Sequence, residues 1–231
     1  MGYDVVVDPR LQSATDCLIP IIALFQTLES PELEIQLGNI YNNEWESGVS
    51  EVQFNELLSM MNQFTEWKES NHSDCHDYVY SGRNGAVVRT RVHLNDFMVL
   101  EHCQKRIVSE CVLRLEGHDF GKIVLRSSCG VSEDIIPETV EPSYVRIKKQ
   151  KWFQYGPFCF KFFRIWQGPS RTIAESMQGQ GITKYEIELE FIPDENYWND
   201  SIKTSKYVAT SLILKLVNLL SDDLFACSVV K

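Results

Sequence analysis

Polar and apolar residues alternate in two different rhythms along this chain. The first is helical. Asp8 to Leu28 reads as an opening helix, with Ser13 or Thr15 as caps and Pro20 forcing a boundary or kink. Ser50 to Trp67 is clearer: Ser50 and Gln53 make a capping box, and Val52, Leu57, Leu58, Met61 and Phe64 recur at helical spacing. A closing helix covers Ser205 to Leu220, with the apolar run LILKLVNLL.

The second rhythm is the period-two alternation of strands. It begins at Glu32 to Leu37, which Gly38 and Asn39 close. HDYVYS and AVVRTRVHL then flank SGRNG as a hairpin, followed by KRIVSECVLRLE, GKIVLRSS, SYVRIKKQKWFQY, FCFKFFRIW and TKYEIELEF. Loops such as YGPF, QGPS and QGQG separate the later strands. About eight sequential strands with helices before and after predict an α+β fold, mainly β: an antiparallel sheet or closed barrel with helical supports. At 231 residues the default is one domain, 1–231.

These strands alternate apolar residues with charges rather than with neutral polar groups. Arg89 and Arg91, Arg146 and Lys148, Lys161 or Arg164, and the glutamates of ELEIQLG and KYEIELEF all fall at strand spacing. A small barrel normally fills itself with apolar side chains, so repeated charged faces suggest an interior that is the charged side. Charge is also segregated along the chain. The net charge is −10, yet 142–174 contains no Asp or Glu and carries Arg146, Lys148, Lys149, Lys151, Lys161, Arg164 and Arg171. That balance argues against a general hold on a nucleic-acid backbone and suits focused binding of a compact polyanion.

A single E-x-E strand usually reads as a solvated face. Two of them change the weighing, because facing carboxylates repel unless a cation lies between them. An oxygen-only set of glutamates suits Mg²⁺ or Mn²⁺, and neighbouring Arg and Lys would seat phosphate oxygens. The implied chemistry is metal-assisted attack of water on a phosphoryl group. From the residues alone this reading and the solvated face both stay open.

Together, ELEIQLG, KYEIELEF, RIKKQK and FKFFRIW resemble the triphosphate tunnel metalloenzymes. They are most similar to the metal-dependent RNA triphosphatases of fungal, protozoan and large-DNA-virus mRNA capping, in particular the amino-terminal domain of a giant-virus capping enzyme. The resemblance spans most of Glu32 to Phe191, and the two glutamate motifs in order are its specific part. It implies an eight-stranded antiparallel tunnel in which Glu32, Glu34, Glu188 and Glu190 form the Mg²⁺ or Mn²⁺ site, Glu188 placing the attacking water. Arg89, Arg91, Lys105, Lys122, Arg146, Lys148 and Arg164 would hold phosphates, with Arg146, Lys148 and Arg164 catalytic. Choosing Lys105 over Arg106, and Arg91 over Arg89, is a matter of strand register.

Two positions depart from the family. Gln36 stands where the thiamine-triphosphatase and adenylate-cyclase branch has lysine, and Trp166 where the fungal branch is expected to be acidic. The activity implied is conversion of a pppRNA end to ppRNA and phosphate, with free nucleotides as side substrates. The partners implied are nascent RNA and capping guanylyltransferase and methyltransferase domains. Two other readings stand beside it: a hydrolase of tripolyphosphate or small triphosphates, and a non-catalytic module that binds phosphorylated ligands.

Seven scattered cysteines without a CxxC pair fit a reducing compartment, cytoplasmic or nuclear, or a virion if the chain is viral. No apolar run approaches a membrane span, and MGYDVVVDPR lacks the layout of a signal peptide. His102-Cys103 resembles the start of a cysteine-phosphatase loop, but Ser109 stands where its arginine belongs. NHSDCH reads as a polar loop rather than a metal cluster.

Overall fold

A strand with glutamates on one face and leucines on the other needs two different surroundings, and this chain supplies them by closing its sheet. The computed structural model describes residues 9–42, 44–81, 87–94, 96–114, 124–134 and 141–220. Its strands are β1 (Pro31–Tyr41), β2 (Glu44–Ser47), β3 (Glu69–Ser81), β4 (Val87–His93), β5 (Val99–Arg114), β6 (Val124–Asp134), β7 (Tyr144–Tyr155), β8 (Phe158–Gly168) and β9 (Lys184–Phe191). The helices are α1 (Pro9–Phe25), α2 (Glu51–Gln63), α3 (Arg171–Gly179) and α4 (Ser205–Leu220).

Eight strands hydrogen-bond in the order β1-β6-β5-β4-β3-β7-β8-β9, each pair antiparallel, and β9 pairs back onto β1. The sheet is therefore a barrel without free edges among these strands. The short β2 runs beside the far end of β1, with Gly38 opposite Ser47, and Val49 bridges to Tyr185.

The hydrophobic core lies outside the barrel. Leu33, Ile35 and Leu37 of β1, Ile187, Leu189 and Phe191 of β9, and Phe158, Phe160 and Phe162 of β8 are buried in one cluster. Leu18, Ile21, Ile22 and Phe25 of α1 and Val208, Leu212, Ile213 and Leu216 of α4 complete it. Each fully buried aliphatic side chain contributes about 1.5–3 kcal/mol, so the apolar half of the alternation anchors these strands to the helices. The other half of the alternation is thereby turned inward.

The capping box at Ser50 and Gln53 is present at the start of α2, as its spacing predicts, and Phe54, Leu57 and Met61 form the buried face. Pro20 does not end α1, which continues to Phe25. Pro20 itself is exposed while Leu18, Ile21 and Ile22 are buried around it, so packing outweighs the broken helical hydrogen bond. Ser13 and Thr15 are consequently interior to the helix rather than caps.

Two elements were not expected from the sequence. One is β2. The other is α3, in a segment that reads as a loop, capped by the Ser170 side chain and docked through Ala174 against Ile147 and Trp166. Close docking depends on Gly168, where a Cβ would stand 2.6 Å from Cγ2 of Ile173. The tip of the β3–β4 hairpin, 82–86, lies outside the described residues.

Candidate active site in the tunnel

Both glutamate rows face the barrel interior, and they meet. Glu34 on β1 is the direct cross-strand partner of Glu190 on β9, and Gln36 is the partner of Glu188. Glu32 continues the row on β1, and Glu186 continues it on β9. Like charges placed opposite one another in a sheet are unfavourable, so this arrangement needs positive charge beside it.

Contacts that skip a strand prove the orientation. Lys105 on β5 pairs with Glu32 and Glu34 on β1 although β6 separates the two strands. Arg146 on β7 reaches Glu186 on β9 at 2.8 Å across β8. The concave inside of a barrel brings such side chains together, and the alternate residues of β1 and β9 pack outward in the hydrophobic core. Lys161 pairs with Glu190, and Gln36 Nε2 donates to Glu188 Oε1 at 2.8 Å.

A second layer of charge lines the opposite wall. Asp77 on β3 is 1% exposed and takes Lys148 at 2.6 Å and Arg91 Nε at 2.8 Å. Glu101 on β5 holds Arg89 and stands 3.6 Å from Arg91. Nearer the β2 side, Lys184 lies 2.9 Å from Glu186, whose other oxygen takes Arg146. Ser47 of β2 donates to Glu186 at 2.8 Å.

The protonation balance follows from this geometry. Burial would raise the Asp77 carboxyl, but Lys148 and then Arg91 more than reverse it and hold it well below the usual carboxylate range. Burial likewise acts on Glu186, where Arg146 and Lys184 prevail and bring it down to about 2. Glu188 goes the other way. Enclosure in the tunnel, reinforced by repulsion from Glu34 and opposed by Lys148, pushes it up to about 7. Burial lowers the Lys105 ammonium, yet Glu34 and Glu32 together carry it well above its ordinary range.

The oxygen-only carboxylate set Glu32, Glu34, Glu188 and Glu190 has the chemistry that Mg²⁺ or Mn²⁺ prefers, and burial first, then repulsion from Glu34, disfavours the bare Glu188 carboxylate. As the side chains stand, no three His, Cys, Asp or Glu groups among the described residues are arranged to hold one metal ion. Lys105 and Lys161 neutralise the row instead.

Of the basic residues expected at the site, Arg89, Arg91, Lys105, Arg146 and Lys148 line the tunnel; Lys122 lies outside the described residues. Both arginines of β4 point inward, and on β5 Lys105 does so, as its pairing with Glu32 and Glu34 shows. Arg164 is a correction. It is exposed on the outer face of β8, with its guanidinium 5.4 Å from the Phe54 ring and bonded to Asn55 at 3.2 Å. The reason is parity: Phe158, Phe160 and Phe162 mark the outer face, Arg164 shares it, and Lys161 is the cation of the inner one.

Trp166 also faces outward, packed on Ile147 and Ala174, with its indole N–H donating to Thr183 at 2.9 Å. An acidic residue at that position would not reach the tunnel. Asp77, Glu101 and Lys184 were missed by sequence reasoning. Of the alternatives Lys161 and Arg164 that strand spacing left open on β8, Lys161 is the one that faces inward, alternating with the outward phenylalanines. His102-Cys103 lies in strand β5, and the NHSDCH segment is strand rather than loop, with Cys75 on the tunnel side beside Lys148.

No protein-family model and no curated protein sequence matches the chain. Solved structures do. The RNA triphosphatase Pct1 of S. pombe, in complex with the Spt5 CTD, superposes with a TM-score of 0.70 at 16% identity, covering 95% of this chain and 96% of that one. The RNA triphosphatase domain of a trifunctional mimivirus mRNA capping enzyme gives 0.60 at 13% identity, covering 91% and 97%. The fold is that of the RNA triphosphatase tunnel. At these identities the likeness is one of backbone, so the tunnel's charged lining has to be judged on this chain's own residues. None of the described helices is long and apolar enough to cross a membrane.

Proposed function

We propose that this tunnel is a metal-dependent RNA 5′-triphosphatase, removing the γ-phosphate from pppRNA to leave ppRNA and phosphate, with free nucleotides as side substrates. One observation carries the reading: Glu34, Glu188 and Glu190 stand together on adjoining strands inside a closed barrel whose remaining wall presents Arg89, Arg91, Arg146, Lys148 and Lys161. Glu32, Glu34, Glu188 and Glu190 would hold Mg²⁺ or Mn²⁺, which supplies positive charge to the phosphate oxygens and polarises the phosphorus for attack.

The side chains do the rest. Glu188, enclosed in the tunnel and held by the Gln36 amide, is placed to orient the attacking water and accept its proton. Asp77 and Glu101 hold Arg91 and Arg89 by ion pairs, fixing guanidinium donors before substrate arrives. Lys105 and Lys161, paired with glutamates as the side chains stand, would turn to phosphate oxygens once those carboxylates hold the metal. Arg146 on β7 and Lys184 on β9, further along the tunnel, would meet the inner phosphates. Further capping activities, on the same polypeptide or on partner proteins in the same reducing compartment, would follow this first step.

The test uses γ-labelled triphosphate-ended RNA with and without Mg²⁺ or Mn²⁺, alongside Glu34→Ala and Glu190→Ala. Phosphate release that needs metal and falls by more than about 100-fold in both variants is expected. Binding without turnover would make the chain a phosphate-binding module. Turnover of tripolyphosphate but not of RNA ends would change the substrate.

A further inference from the structure

Lys149, Lys151 and Arg164 lie outside the tunnel and therefore outside the proposed chemistry. They form a cluster of their own. Lys149 and Arg164 are direct cross-strand partners on β7 and β8, and Lys151 is the next outward residue along β7. Two cations placed opposite each other repel, and a surface pair of that kind normally acquires a carboxylate. Here all three are held by uncharged groups. Arg164 bonds Asn55 and lies over Phe54, Lys151 bonds Asn62 and lies over Phe153, and Lys149 lies 6.0 Å over Trp166. Among the described residues none of the three makes an ion pair, in a chain of net charge −10.

The cluster lies beside a cleft at one end of the barrel. A cleft of about 750 Å³ is lined by inward-facing residues, among them Ile165, Gln167 and Lys184, and by Tyr185 and Gln53 on the outer side. Side chains of both strand faces thus line it at the Lys184 end of the barrel. Tyr185 is the cross-strand partner of Arg164, which in turn is the partner of Lys149. With strands about 4.8 Å apart, the two cations stand roughly 5 and 10 Å beyond the rim of the cleft. The carboxylate of Glu51, at the start of α2, is engaged by the Tyr185 hydroxyl.

We infer that Lys149, Arg164 and Lys151 form an exit track for the RNA body, gripping the phosphodiesters that follow the 5′ end as the strand leaves the cleft between α2 and α3. The track rests on the tunnel being an RNA triphosphatase. It gives the site a reason to distinguish RNA from a free nucleotide: both present a triphosphate to the interior, and only RNA reaches the outer cations. Its contribution is electrostatic and independent of base sequence.

The test compares wild type with K149A/R164A in two measurements. The first is hydrolysis of ATP and of a triphosphate-ended RNA of about 15 nucleotides, a length that spans a single-strand groove. ATP turnover is expected to remain within about twofold, while kcat/KM for RNA falls about tenfold or more, mostly through KM. The second is fluorescence anisotropy with a 5′-hydroxyl RNA of the same length. Wild type binds it more tightly than the variant, and losing two phosphate contacts makes the slope of log K against log salt shallower by about 1.4.

Equal losses for ATP and RNA, or unchanged RNA binding in the variant, overturn the track while leaving the triphosphatase reading intact. The same holds if a phosphoserine peptide loses binding to the variant and RNA does not, since the cluster would then serve a protein partner. Absence of hydrolysis of either substrate by wild type refutes the triphosphatase itself, and the anisotropy experiment still decides whether the outer cations hold RNA.

Discussion

Glu188 pits catalysis against stability, and the conflict can be measured. Its carboxyl moves from 4.5 to about 7, first because the tunnel desolvates it and then because Glu34 repels it. At about 1.4 kcal/mol per pH unit, forcing the group to ionise in the folded protein costs about 3 kcal/mol. The folded value lies above the unfolded one. The protonated group's full benefit is therefore present below about pH 4.5, declines as pH rises through about 7, and is gone above it. Glu188→Gln imitates the protonated acid and keeps an oxygen to accept from Gln36. In metal-free buffer near pH 8 the variant should be more stable by about 3 kcal/mol, or roughly 6–12 °C in Tm for a chain of this size. Near pH 4.5 the two proteins should melt together. Differential scanning fluorimetry across that range checks it, with triphosphatase activity lost in the variant throughout. A variant that melts at or below wild type near pH 8, or an offset that does not change with pH, would refute the reasoning.

Asp77 is the opposite case, a buried carboxylate that holds two cations. Asp77→Ala leaves Lys148 and Arg91 without their partner and should cost about 3–5 kcal/mol by urea denaturation, whereas Asp77→Glu should recover part of it. On β8, Lys161→Ala should reduce triphosphatase kcat by about 100-fold or more, while Arg164→Ala should leave hydrolysis of free nucleotides unchanged; steady-state kinetics on ATP separates the two.

Much of the fold was legible in local pattern. The capping box of α2, the helix over Ser205–Leu220 and the succession of strands follow from residue spacing, because caps and period-two alternation are properties of a few consecutive residues. The charged interior was also legible, since strands that alternate apolar with charged residues must send one set to the helices and the other elsewhere. What failed locally was decided by neighbours. Pro20 stayed within α1 because α4 packs on the residues around it, and 171–179 became helix because Gly168 lets it dock.

The sequence by itself determined that two glutamate rows and a basic segment exist and that each occupies one face of its strand. Only the tertiary structure decided which side chains meet. Closure of the barrel set Glu34 against Glu190, brought Lys105 across an intervening strand, and made the isolated Asp77 the anchor of two cations. It also sent Arg164 outside and Lys161 inside, although both are basic residues of one strand. The physical reason is that a strand states its alternation but not its partners. Register and closure come from packing the apolar face against helices distant in sequence, and a step of one residue reverses inside and outside.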